Sequence, residues 1–306
     1  MRKILLLIAI TFLTAACGTP PAPATVLPTF TSVPATEMAT QAALATETIT
    51  LPPEPTFAEG PSPTPDIGST LGSPIDHLVM VYVPAGPFKM GYEGGYPDEG
   101  PEHSVTLSAF WIDKTEIPNG TYEMCVQAGD CNPPAKHNSN GIDNYYGNPQ
   151  TADYPIIFVA WSDAQNYCDW MGGRLPTEAE WEKAARGTDG RLYPWGDTPP
   201  DPTLANFGDN NWDVVATGNY TGAASPYGAL DMAGNVWEWV ADWYAADYYT
   251  QSPANNPTGP ESGTKKVMRG GSWNFDTPGL RMSYRLAKDP AYTAPDAGFR
   301  CMLPAQ

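Results

Sequence analysis

The stretch "YPIIFVAWSDAQNYCDWMGGRLPTEAEWEKAARG", residues 154–187, decides the fold. An apolar run leads into two helical patterns, and the second carries the clearest local signal in the chain. Thr177 and Glu180 form a T-x-x-E capping box, Trp181, Ala184 and Ala185 mark an inward face, and Gly187 stops the helix. In the first pattern Ala164, Tyr167, Cys168 and Met171 recur at helical spacing, with Ser162 read as the cap and Gly172 as the end. Upstream, "NGTYEMCVQAG" (119–129) predicts a short helix capped by Asn119 and ended by Gly129. "MVYVPAGPFKMG" (80–91) predicts a strand and a turn, broken at Pro84 and Gly86. After Gly187 regular patterning nearly disappears, and Gly, Asn, Pro and Trp dominate. The pattern is mixed helix and strand, loop-heavy and poor in regular secondary structure. Such a domain needs other supports, and disulfides and bound cations are the usual ones.

Outward from this core the composition changes sharply. Residues 1–17, "MRKILLLIAITFLTAAC", run from Arg2 and Lys3 through a short apolar segment to small residues and Cys17. That segment is too short to span a bilayer and reads as an export signal. It resembles a bacterial lipoprotein signal, except that Thr14 stands where leucine is usual. The implied outcome is lipidation of Cys17 and a membrane-anchored protein facing outside the cytoplasm, with no membrane contact other than that anchor. Residues 18–75 hold twelve Pro and twelve Thr, five acids and no Lys or Arg. They cannot bury enough apolar surface to offset chain entropy and read as a disordered tether, whose glycosylation the sequence leaves open. All Trp, Tyr and His fall within residues 76–306, a length suited to one large domain. Its 14 Lys and Arg face 29 Asp and Glu, which argues against nucleic acid as a partner and not against divalent cations.

With Cys17 set aside, four cysteines remain, an even number that favours two disulfides in an exported protein. Cys125 and Cys131 would close a small loop, and Cys168 with Cys301 would tie the middle of the domain to its C-terminal end. No C-x-x-C spacing exists, and His77, His103 and His137 are scattered, so a zinc site has no support.

The blocks 154–187, "YPWGD" (193–197), "ANFGD" (205–209), "ALDMAGNVWEW" (229–239), "VMRGGSW" (267–273) and "AGFRC" (297–301) follow one another in a known order. Together they resemble the formylglycine-generating enzyme, or sulfatase-modifying factor, domain family over about residues 78–302. The resemblance implies an α+β fold of the formylglycine-generating-enzyme type, related to that of C-type lectins and stabilised by disulfides and calcium. It also supports the Cys168–Cys301 bond, since the matching cysteines are joined in enzymes of the family.

It further implies two calcium sites. One would use the Asp231 carboxylate, the Gly234 and Val236 carbonyls and the Glu238 carboxylate, a hard-oxygen set from one tight loop. The other would use Asn206 and the Phe207 carbonyl, completed by Asp209 and the Asn211 carbonyl. Enzymes of this family hold copper(I) on two cysteines downstream of "RGGSW", and here those positions are Phe275 and Leu280. No cysteine lies between Cys168 and Cys301, so a shifted alignment cannot restore the pair. Copper is therefore not expected, although Trp237 and Ser272, which match residues lining the oxygen pocket, are kept. Two functions are compatible with this pattern. One is a calcium-stabilised binding or accessory module that grips a peptide, protein or glycan in the substrate groove. The other is a divergent oxidase acting on protein or small-molecule thiols through a different metal site.

Overall fold

The computed structural model describes residues 65–305; the segment read as an export signal, Cys17 and most of the segment read as a tether lie outside these residues. The folded domain starts inside the segment read as tether. Strand β1 (Thr70–Gly72) pairs antiparallel with β2 (Val79–Val83), and Ser73 and Asp76 are buried. Asp76 accepts a hydrogen bond from the Tyr167 hydroxyl at 2.9 Å. Three residues recruited to a sheet edge by backbone pairing leave no compositional mark.

The first sheet runs β1–β2–β5–β10, all antiparallel, with β5 at Phe110–Asp113 and β10 at Met302–Pro304. Strands β3 (Gly86–Met90) and β4 (His103–Leu107) form a separate antiparallel pair. The helices are α1 (Asn119–Ala128), α2 (Trp161–Trp170) and α3 (Glu178–Arg186). A third sheet, with strand order β8–β7–β6–β9, is built from Leu286–Lys288, Lys266–Arg269, Trp237–Trp243 and Ala297–Phe299. This sheet occupies the region where no regular pattern was expected. Strand β6 is buried on both faces, so its polar–apolar alternation does not mark an inside and an outside, and β9 joins it in parallel from far along the chain.

The expected helices are present, but two caps differ. Helix α3 keeps the capping box: Thr177 Oγ1 accepts from the Glu180 amide at 3.2 Å, and Glu180 Oε2 accepts from the Thr177 amide at 2.8 Å. Asn119 lies inside α1, after Pro118, and its amide donates to the Thr151 carbonyl. Helix α2 starts at Trp161, with Ala160 before it, and Asp163 rather than Ser162 accepts the free amide of Ala160. Both expected disulfides are formed, Cys125–Cys131 and Cys168–Cys301. Among the described residues no helix is long and apolar enough to cross a membrane.

Candidate functional site

Strand β6 explains why acids and indoles interleave in the sequence. Trp237 and Trp239 pack into the same apolar layer as α1 and α2, while Val240 packs with Trp181 of α3 in the layer behind. Glu238 shares the Val240 face and receives the Trp181 indole N–H at 2.7 Å. Arg300, just after β9, meets both oxygens of Glu238 at 2.7 Å, in the fork geometry that a guanidinium suits. The same guanidinium donates to the carbonyls of Asp113 and Leu230.

Next to this pair stands the turn from Asp231 to Val236. Asp231, Gly234 and Asn235 all take positive φ, at 54°, 83° and 64°. A Cβ on Gly234 would collide with the Asn206 carbonyl, so only glycine fits there. Asp231 is buried, and its Oδ2 accepts from the Gly218 amide. Asn235 donates to Glu116 at 3.0 Å and, through its Oδ1, accepts from Asn206 at 3.2 Å. Glu116, at the segment leading into α1, is fully buried and was not singled out by any pattern in the sequence. Burial raises the Glu116 and Asp231 carboxyls above their ordinary range, and the Asp231 charge adds to the rise at Glu116.

The expected calcium ligands thus divide. Asp231 is buried with Oδ1 unpartnered, which fits a cation ligand. Glu238 does not fit as a free ligand, because Arg300 and Trp181 already engage its oxygens. In the second set Asn206 is fully buried, but its Oδ1 accepts from the Asn211 side chain. Asp209 and Asn211 are exposed, whereas the buried Asp213 presents its carbonyl to the Asn206 amide at 2.9 Å. The loop leaves Asp209 exposed, and the Asp213 carboxylate is engaged elsewhere, by the Ser139 hydroxyl and the Gly141 amide. Among the described residues no three His, Cys, Asp or Glu side chains form a ready metal cage, so backbone oxygens would have to complete either site.

The copper positions are filled by hydrocarbon. The Phe275 ring lies edge-on to Trp237, with centroids 5.1 Å apart, and 5.7 Å from Tyr284. Leu280 is fully buried in the layer of Trp181 and Met282. Trp237 and Ser272 are also buried, so the expected open pocket beside them is closed. Ser272 Oγ lies 3.0 Å from the buried Asp296, whose carboxyl is raised by burial, and no histidine contacts it as a base. Beyond Tyr284 lies a cleft of about 210 Å3 lined by Tyr96, Asp98, Glu99, Tyr284 and Arg285. Arg281 stacks over Tyr96 and Tyr284 while pairing with Glu99.

Asp242, on the Glu238 face of β6, accepts the Glu178 amide at 2.8 Å, at the first residue of α3. Burial, followed by the Glu178 charge, pushes its carboxyl up to about 8. The folded state therefore holds this proton more tightly than the unfolded chain does. That contribution is complete below the ordinary carboxylate pKa and is lost as pH rises through 8. Asp242→Asn is expected to flatten the decline in melting temperature between pH 5 and 8, by a slope of at most ~1.4 kcal/mol per pH unit. Parallel pH profiles for the two proteins would show that Asp242 is ionised in the fold.

Short strands, long ordered loops, two disulfides and a buried acid–guanidinium centre under a Trp-rich strand define a formylglycine-generating-enzyme-type fold, of the C-type-lectin-like class. Residues 73–305 match the sulfatase-modifying factor enzyme 1-like domain, and the chain belongs to that family. It is 34% identical over 279 residues to the formylglycine-generating enzyme of Thermomonospora curvata, a match covering 72% of this chain and 92% of that enzyme. It is 35% identical over 235 residues to the serine/threonine-protein kinase pkn1 of Chlamydia caviae, covering 72% of this chain and 37% of the kinase. Among solved structures, PvdO from Pseudomonas aeruginosa superposes with a TM-score of 0.66 at 26% identity, over 78% of this chain and 99% of that one. Members of the family carry different functions, so membership does not by itself name a reaction.

Proposed function

We propose that this protein is a calcium-stabilised binding or accessory module, held at the cell surface through Cys17 and its Pro/Thr-rich tether, without thiolate–copper chemistry. The observation that carries this reading is Phe275, whose ring packs on Trp237 where the family's first copper-binding thiolate would stand. Copper(I) prefers soft sulfur, and phenyl and isobutyl side chains supply no ligand. The four cysteines after Cys17 are all in disulfides, so none offers a thiolate. The cleft between Tyr96 and Tyr284 is the groove for a peptide, protein or glycan ligand, held by stacking on the aromatic faces and by hydrogen bonds. Bound calcium offsets the buried acids around Arg300. A divergent oxidase is the second reading, favoured by the kept Trp237 and Ser272, the latter 3.0 Å from the buried Asp296. A cysteine-containing sulfatase-type peptide distinguishes the two. Incubated with the protein, copper and a reductant, it is expected to keep its thiol.

A further inference from the structure

Nine of the ten tryptophans are buried or half-buried, and each meets another ring, a cation or a hydrogen-bond acceptor. Trp212 differs. It is 71% exposed, and among the described residues no aromatic or cationic side chain pairs with its ring and no acceptor meets its indole N–H. The backbone holds it in that position. Asp209 and Trp212 both take φ of 60°, a left-handed conformation that a bulky side chain rarely adopts. The Trp212 amide donates to the Asp209 carbonyl at 3.2 Å, and the Trp212 carbonyl accepts from the Asn140 side chain at 2.9 Å. The Gly208 and Asp209 amides donate to the Phe275 and Trp273 carbonyls, which pins the turn to the segment after β7. The Asp213 carboxylate accepts from the Ser139 hydroxyl and the Gly141 amide, which clasps the two loops together. Backbone strain persists where surrounding contacts over-determine it, and it gathers at positions that meet ligands.

The surroundings of the indole define what it can take. Besides Trp212, every exposed residue of segments 138–144 and 208–212 is Asn, Asp or Gly, and neither segment carries a Lys or Arg. A protein interface sets such an indole in an apolar core, which these neighbours do not supply. A polyanion needs cations, and there are none on these segments. Amides both donate and accept, and carboxylates accept, which suits a ligand covered in hydroxyls. We propose that Trp212 is the stacking platform of a carbohydrate site, taking the C–H face of a neutral sugar on its indole while Asp209 and Asn210 bond the hydroxyls. A platform fixed before binding loses little freedom when the ligand arrives. This surface shares no residue with the cleft between Tyr96 and Tyr284, so it stands or falls apart from the reading of that cleft.

The test is calorimetric titration of the natural chain, Trp212→Ala and Trp212→Phe with four neutral oligosaccharides: cello-, malto-, manno- and chitohexaose. Hexalysine serves as the charged comparison. The natural chain should bind at least one of the oligosaccharides. Trp212→Ala should bind it at least ~10-fold more weakly, and Trp212→Phe should keep part of the affinity because a smaller stacking face remains. Matching melting curves would show that the variants fold, as expected for so exposed a side chain. Binding of none of the four, or equal binding by the natural chain and Trp212→Ala, would overturn the proposal. Binding of hexalysine alone, lost in Trp212→Ala, would also overturn it and assign the indole to a cationic peptide.

Discussion

Replacing Arg300 with alanine is expected to cost the domain about 3–5 kcal/mol, the range for removing one partner of a buried ion pair. For a domain of this size that is a fall in melting temperature of roughly 6–20 °C. The guanidinium is fully buried, engages both Glu238 oxygens and holds the carbonyls of Asp113 and Leu230. Without it Glu238 is a buried carboxylate beside Glu116 and Asp231, with no positive side chain among its hydrogen-bond partners. Arg300→Lys should recover part of the loss, since one ammonium restores the charge but cannot reproduce the fork and both carbonyl contacts. Thermal denaturation of the three proteins checks this. Equal stability of Arg300→Ala and the natural chain would mean that the buried acids are neutral in the fold.

Loss of the Cys168–Cys301 bond is expected to be the second large effect, and distinctly larger than loss of Cys125–Cys131. The first joins residues 133 apart and the second residues 6 apart. In the chain-entropy model these closures are worth about 5 and about 2 kcal/mol. Cys168 and Cys301 are also fully buried, linking α2 to the segment between β9 and β10. Denaturant unfolding of the paired alanine variants should therefore rank them in that order. Equal losses would show that the long loop is held by its packing in the unfolded reference state or in the native core, with the bond adding little.

What was legible in the sequence depended on locality. Thr177 and Glu180 declare α3 because the capping box is a contact three residues long. The disulfides were legible because four cysteines allow few pairings and two of them lie only six residues apart. Caps at α1 and α2 were misplaced by one or two residues: the Asn119 side chain bonds the Thr151 carbonyl instead, and at α2 Asp163 takes the capping contact while Ser162 stays exposed. The sheet after Gly187 was invisible for a different reason. Its strands are three to seven residues long, one pairing is parallel, and β6 has no solvent face to set a period. Glu116 was missed because nothing in "DKTEIPNG" marks it; its importance comes from the fold bringing it to Asn235 and Asp231. Asp209 and the Asn211 carbonyl came from the resemblance alone, and the loop leaves both residues exposed.

The chemistry of the Trp237 pocket is the central question, and mass spectrometry of a sulfatase-type cysteine peptide incubated with the protein, copper and a reductant answers it most directly. With Phe275 on Trp237 and Leu280 in the core, the expected spectrum matches the copper-only control, with the thiol intact. The double variant Phe275→Cys/Leu280→Cys serves as the companion, and its gain of tight copper(I) binding would show that only the ligands are missing. Loss of the peptide sulfur with appearance of an aldehyde, above the control and with the natural chain, would contradict the binding-module reading and establish an oxidase.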